Sequence, residues 1–134
     1  MKQFRLKIVT PDGMRYDGLA EEVVVRTTSG DMGIMAGHIN CVAPLGMGRC
    51  MVLAEGKRRN GACIGGMVSV ADNTVSVVAT AFEWADQIDT HRARDSEEHA
   101  RAVLESKSAE RQELTMAEAQ LKRALVRQSV AKLK

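Results

Sequence analysis

The side chains able to do chemistry in this chain are few and scattered. Asp31, His38 and Cys41 lie within eleven positions and invite comparison with a small hydrolase. They lack a third orienting group and the elbow that exposes a nucleophile. His38 therefore reads as a loop residue. Cys41, Cys50 and Cys63 are odd in number and widely spaced, without histidines at metal-ligand spacing, so they read as reduced core thiols. The glycine-rich segment Gly30–His38 lacks the Gly-Lys-Ser/Thr ending of a phosphate loop. What remains is the stretch Phe82–Ala93, which holds the chain's one Trp and sets Asp89 three residues before Arg92. Further on, Arg123 and Arg127 are four apart and share one face of a helix.

That stretch is also where the chain changes character. All 11 glycines and both prolines lie at or before Gly66. The hydrophobic fraction of 45% suffices for a core, and with 3% aromatics that core is aliphatic and methionine-rich. A net charge of +2 is too balanced for a nucleic-acid footprint. No apolar run spans a bilayer, and the alternation Phe4-Arg5-Leu6-Lys7 is not a signal core.

Phe4, Leu6 and Ile8 alternate as in a half-buried strand. Pro11-Asp12-Gly13 is a turn, Met14 to Tyr16 a short return strand stopped by Asp17-Gly18, and Val23 to Arg26 a third strand. Asn40–Leu45 and Arg49–Ala54 follow, split by Gly46-Met47-Gly48. A basic turn over Gly56–Asn60 precedes Ala62–Ile64, and Gly65-Gly66 breaks the pattern. Val68 and Val70 should pair with Val75 and Val77 across Asp72-Asn73. This is an antiparallel sandwich, residues 1–85. Residues 86–134 are helical, with Asp86 as N-cap and a capping box at Thr115–Glu118 opening a second helix. The stripes Ala93, Ala100, Leu104 and Leu114, Ala117, Leu121, Ala124, Leu125 are thin, and nothing between Leu104 and Thr115 forbids one long helix. An arm with two conformations close in energy follows.

The pieces Ile8-Val-Thr-Pro-Asp-Gly13, Gly30–His38, Gly65-Gly66-Met-Val-Ser-Val70 and Ile88–Ala93, in this order, resemble the epsilon subunit of the bacterial F-type ATP synthase. Ala36 departs from it, since the family usually has proline there. The resemblance implies an all-β N-terminal sandwich of about ten strands, then an α-helical hairpin. It implies a noncatalytic central-stalk subunit, peripheral on the cytoplasmic face of the membrane. Its partners would be the gamma subunit, the c-ring and the alpha and beta catalytic subunits. Asp31 and His38 would lie at the partner interface. No cofactor is required, and ATP would act as a regulatory ligand between the folded helices. Ile88, Asp89 and Glu83 would hold its adenine end, beside Ala93, with Arg92, Arg123 and Arg127 facing phosphate. The family's further arginine on the first helix is His99 here. The alternative is a β-sandwich adaptor whose arm binds an unrelated partner.

Overall fold

The computed structural model describes residues 2–134. Eight strands precede the helices: β1 (Phe4–Thr10), β2 (Gly13–Ala20), β3 (Glu22–Thr27), β4 (Gly30–Met35), β5 (Cys41–Ala54), β6 (Lys57–Ala71), β7 (Thr74–Ala79) and β8 (Phe82–Trp84). They form one hydrogen-bonded network in the order β2-β1-β7-β6-β5-β3-β4, with β8 on β6. β1 and β7 run parallel, and the remaining pairs are antiparallel.

The expected ten strands and the observed eight differ in one respect. β5 and β6, 14 and 15 residues long, each serve both layers of the sandwich. The first half of β6 pairs with β8 and the second half with β7. β3 pairs with β5 at Met51–Leu53 and, after a register shift, again at Leu45. The breaks expected at Gly46–Gly48 and Gly65-Gly66 are thus places where a continuous strand changes layer. The β5–β6 register runs from Leu45↔Gly66 to Met47↔Ile64 and leaves Gly46 and Gly65 unpaired. Gly66 sits at φ +129, and a Cβ there would collide with the Val78 carbonyl oxygen, so glycine is required on both counts.

Three local expectations are corrected. Gly30–Met35 is strand β4, paired along its whole length with β3, because Met32 and Ile34 turn inward while Asp31, Gly33 and Met35 between them stay exposed, the period of a strand. β2 runs on through Asp17-Gly18, held by its ladder with β1. The turn before β6 is Glu55-Gly56, both at positive φ, and the basic residues lie inside the strand. The valine pairing across Asp72-Asn73 is as expected: Val68↔Val77 and Val70↔Val75. The core unites Phe4, Leu6 and Ile8 with Val23, Val25, Val68, Val75 and Val77. Alternate residues of each strand meet there from both layers.

After a single 3-10 turn (Ala85–Gln87), α1 (Thr90–Glu105) and α2 (Arg111–Ala131) form the hairpin. Asp89, not Asp86, is the N-cap of α1: its carboxylate accepts from the Arg92 amide at 3.0 Å. The second helix starts before Thr115, capped at Glu110, whose amide donates to the Glu113 carboxylate at 3.4 Å. Thr115 lies within α2 and bonds back to the Arg111 carbonyl at 3.1 Å. Ala93, Ala100, Ala117 and Ala124 form the buried seam between the helices. Leu125, expected on that seam, is 42% exposed. The hairpin docks on the sandwich through Ala62, Ala85, Ile88, Val130 and Ala131.

Candidate functional site

Where β8 passes into the hairpin, Trp84 is the fixed point. It is 3% exposed. Phe82 packs against it edge-on at 4.9 Å between ring centroids, and the Arg59 guanidinium lies 3.9 Å from its ring centre. Its Nε1 donates to the Arg15 carbonyl at 3.2 Å. An indole so held sets the exit direction of the chain, and with it the side from which α1 returns.

A cleft of about 590 Å3 opens between the sandwich and both helices, within the range typical of small-molecule sites. Glu83 on β8, Asp89, Arg92 and Ala93 at the start of α1, and Arg123 and Arg127 on α2 line it. These are six of the seven residues the resemblance assigns to a nucleotide. The seventh, Ile88, is 6% exposed in the docking seam and does not line the cleft. An apolar side chain between the 3-10 turn and α1 is worth more against Val130 and Ala131 than beside guanidinium groups. His99 is exposed on α1 and lies outside the cleft.

Charge in the cleft is unevenly satisfied. The Arg127 Nε donates to Glu83 Oε1 at 2.6 Å. Asp89 is engaged as a helix cap. Among the described residues, Arg15, Arg92 and Arg123 form no ion pair. Several guanidinium groups without carboxylate partners around one concavity suit an anion with several oxygens, because each planar fork bonds two oxygens and stays charged. Gln120 on α2 and Ser96 on α1 also line it and join the two helices: Gln120 Nε2 donates to the Ser96 carbonyl at 3.2 Å and Oγ at 3.0 Å.

Asp12, Arg15, Ser96 and Gln120 also line the cleft, and none was legible as a site residue. Gln120 had a signal, since it shares a helical stripe with Ala117, Ala124 and Arg127. Asp12 and Arg15 had none, because they reach the cleft only through tertiary packing.

Asp31 and His38 lie elsewhere. Asp31 on β4 accepts from Arg26 Nε at 2.6 Å, and that hydrogen bond holds its carboxyl below the usual 3.8. His38 Nδ1 is 2.8 Å from the Ile39 carbonyl, a contact that puts the proton on Nδ1. Both groups are thus committed to local partners, which is no arrangement for a nucleophile and its base. Burial pushes the Cys63 thiol up to about 11 and raises Cys50 further. Neither is a reactive thiolate at neutral pH.

Fold and cleft together define a β-sandwich protein with a docked helical hairpin and an arginine-lined concavity between the two. Comparison with known proteins gives the family. The model of the ATP synthase delta/epsilon chain β-sandwich domain matches residues 3–85, and that of the long α-helix domain matches residues 86–132. The ATP synthase epsilon chain of Shouchella clausii is 43% identical over 100% of this chain and 98% of its own length. That of Ruminococcus albus is 38% identical over 100% of both. A chain in the Euglena gracilis mitochondrial ATP synthase (OSCP/F1/c-ring, rotational state 1) superposes with a TM-score of 0.84 at 25% identity, covering 98% of this chain and 82% of that one. A chain of the Tetrahymena thermophila mitochondrial ATP synthase central stalk and c-ring shares the fold, with a TM-score of 0.63 at 13% identity over 97% of both chains. The chain belongs to the ATP synthase delta/epsilon family, among its epsilon chains.

Proposed function

We propose that this chain is the noncatalytic central-stalk subunit of a bacterial F1Fo ATP synthase, and that its hairpin is an arm whose position responds to ATP. The sandwich joins the gamma subunit to the c-ring, on the cytoplasmic face of the membrane. The arm, when extended, reaches the alpha and beta catalytic subunits and blocks hydrolysis. Among the described residues no helix is long and apolar enough to cross a membrane, in keeping with a peripheral role.

The observation that carries the regulatory half is the cleft. It exists only between parts, so it is assembled when the hairpin lies on the sandwich and dismantled when the hairpin leaves. A ligand that binds there favours the folded arm by its differential affinity for the two states. At a hundredfold excess over its dissociation constant it would contribute roughly 2.7 kcal/mol. The docking seam is small and alanine-rich, so a shift of that size decides the balance. Arg92, Arg123 and Arg127 would face the phosphates, with Glu83, Asp89 and Ala93 toward the rest of the nucleotide.

The stalk half draws on a different surface. Val78 on β7, Met67 on β6 and Pro44 on β5 are directly opposite one another across the strands and all are exposed. Val42 and Ile39 extend that row, at 66% and 77% exposure. An outward apolar row of this kind marks a protein contact; His38 directly precedes Ile39, and Asp31 lies on the edge strand β4.

Calorimetric titration of the isolated protein with ATP tests the ligand. Heat of binding and a raised melting temperature are expected; neither at millimolar ATP rejects it. Deleting residues 86–134 in the assembled complex should raise ATPase activity, and unchanged activity rejects the brake.

A further inference from the structure

Arg15 is the extra residue of a β-bulge. Ile8 pairs with Tyr16 and Val9 with Met14, so Arg15 stands opposite no residue of β1. A bulge frees backbone groups from the ladder and re-aims the side chain of the inserted residue. Both consequences are present. The freed carbonyl accepts from Trp84 Nε1 at 3.2 Å, and the residue lines the cleft instead of following the strand's alternation. Arg15 is half-buried, so part of its desolvation is already met in the empty protein.

Of the four arginines that line the cleft, Arg92 lies on α1 and Arg123 and Arg127 on α2, while Arg15 belongs to the sandwich. Arg127 is held by Glu83, and an incoming anion must compete with that carboxylate. Arg15 has no such partner among the described residues. It is also tied through its backbone to the buried Trp84.

We propose that Arg15 is a phosphate ligand of the cleft, so that a bound polyphosphate is gripped by β2 on one side and by α1 and α2 on the other. The inference rests on the nucleotide reading of the cleft and adds to it. Ligand held by the helical arginines alone would close α1 on α2. Ligand held by Arg15 as well fastens the closed hairpin to the sandwich, which is the step an ATP-responsive arm needs. A planar guanidinium on a rigid strand also loses little freedom on binding.

The test is calorimetric titration of the full chain with ATP, for wild type, Arg15→Ala, Arg15→Lys and Arg92→Ala, with unliganded melting curves for each. The Trp84 bond uses the Arg15 backbone, so substitution leaves it in place. Arg15→Ala should weaken ATP on the order of tenfold or more, with Arg15→Lys recovering part of the loss and unliganded melting unchanged. Wild-type affinity in Arg15→Ala, with Arg92→Ala impaired, overturns the role of Arg15 and leaves the cleft standing. No binding by wild type, or full binding by Arg92→Ala, overturns the cleft and this inference with it. Should Arg15→Ala not fold, Arg15→Gln keeps the length without the charge, and wild-type affinity in that variant overturns the proposal equally.

Discussion

Arg127 and Glu83 form the ion pair that crosses from hairpin to sandwich, at 2.6 Å between Nε and Oε1. The other pairs among the described residues join neighbouring strands or lie within α1. Both side chains keep substantial exposure, 28% and 38%, so solvent and salt screen them. Glu83→Gln should weaken docking of the hairpin by roughly 0.5–1 kcal/mol. The loss should shrink in high salt. Hydrogen exchange is the measurement: amides near the end of α2 should exchange faster, while those of β1, β6 and β7 stay as protected as in wild type.

The helix–helix seam offers a sharper intervention. Ala100 and Ala124 are 0% and 1% exposed, and a seam of methyl groups leaves no room for larger side chains. Ala124→Leu should push α1 and α2 apart at a cost of roughly 1–3 kcal/mol. The sandwich core does not include this position. Limited proteolysis should therefore release the region after Ala85 early and leave the sandwich as the resistant fragment. Loss of the whole chain at one rate would show that hairpin and sandwich unfold together.

The sandwich was readable because its residues announce it: the alternation of Phe4, Leu6 and Ile8 and the paired valines around Asp72-Asn73 are local signals. The number of continuous strands was not. Gly46 and Gly65-Gly66 look like turn residues, and only the surrounding layers show that β5 and β6 pass straight through them. The helix starts failed for a related reason. Asp86 and Thr115 are both acceptable caps, and what selects Asp89 and Glu110 instead is the docking of Ile88 and the tertiary fit of the hairpin. At the cleft, Glu83, Asp89, Arg92, Ala93, Arg123 and Arg127 were placed by resemblance, and the fold brings them together. Arg15 escaped because a bulge one residue long is invisible in composition.

Gly66, where β6 changes layer, contrasts with Gly56 in the turn before β6. At Gly66, φ is +129 and an added Cβ would strike the Val78 carbonyl oxygen. At Gly56, φ is +73 and the space is open. Gly56→Ala should cost roughly 1 kcal/mol, the penalty of a left-handed non-glycine residue. Gly66→Ala adds a backbone clash that β7 relieves only by shifting, and should cost at least twice as much. Thermal melting separates them. A drop of roughly 4–8 °C per kcal/mol is expected for a unit of this size, and equal drops would mean that the β6–β7 ladder yields easily.

Acid should loosen the hairpin through Glu97. Its carboxylate accepts from Gln128 Nε2 on α2 at 2.8 Å and from Arg101 Nε on α1 at 2.7 Å. These bonds, the Gln128 bond foremost, hold its carboxyl below the ordinary 4.5, and the nearby Arg101 and Arg94 charges act in the same direction. A carboxyl whose folded pKa is depressed contributes its stability above the unfolded value and loses it as pH falls through the folded one. The contribution is therefore complete at neutral pH and fades below 4.5. The Gln128 part of it belongs to the contact between α1 and α2, while the Arg101 and Arg94 parts stay within α1. In Gln128→Leu, Glu97 should titrate closer to 4.5, and the hairpin should lose protection relative to wild type at neutral pH, with the difference narrowing in acid. Carbon-detected titration of the Glu97 carboxyl measures the first effect, and hydrogen exchange of α1 at pH 6 and pH 3 the second. An unchanged Glu97 midpoint in Gln128→Leu would assign the depression to Arg101 and Arg94, and leave the α1–α2 contact indifferent to acid.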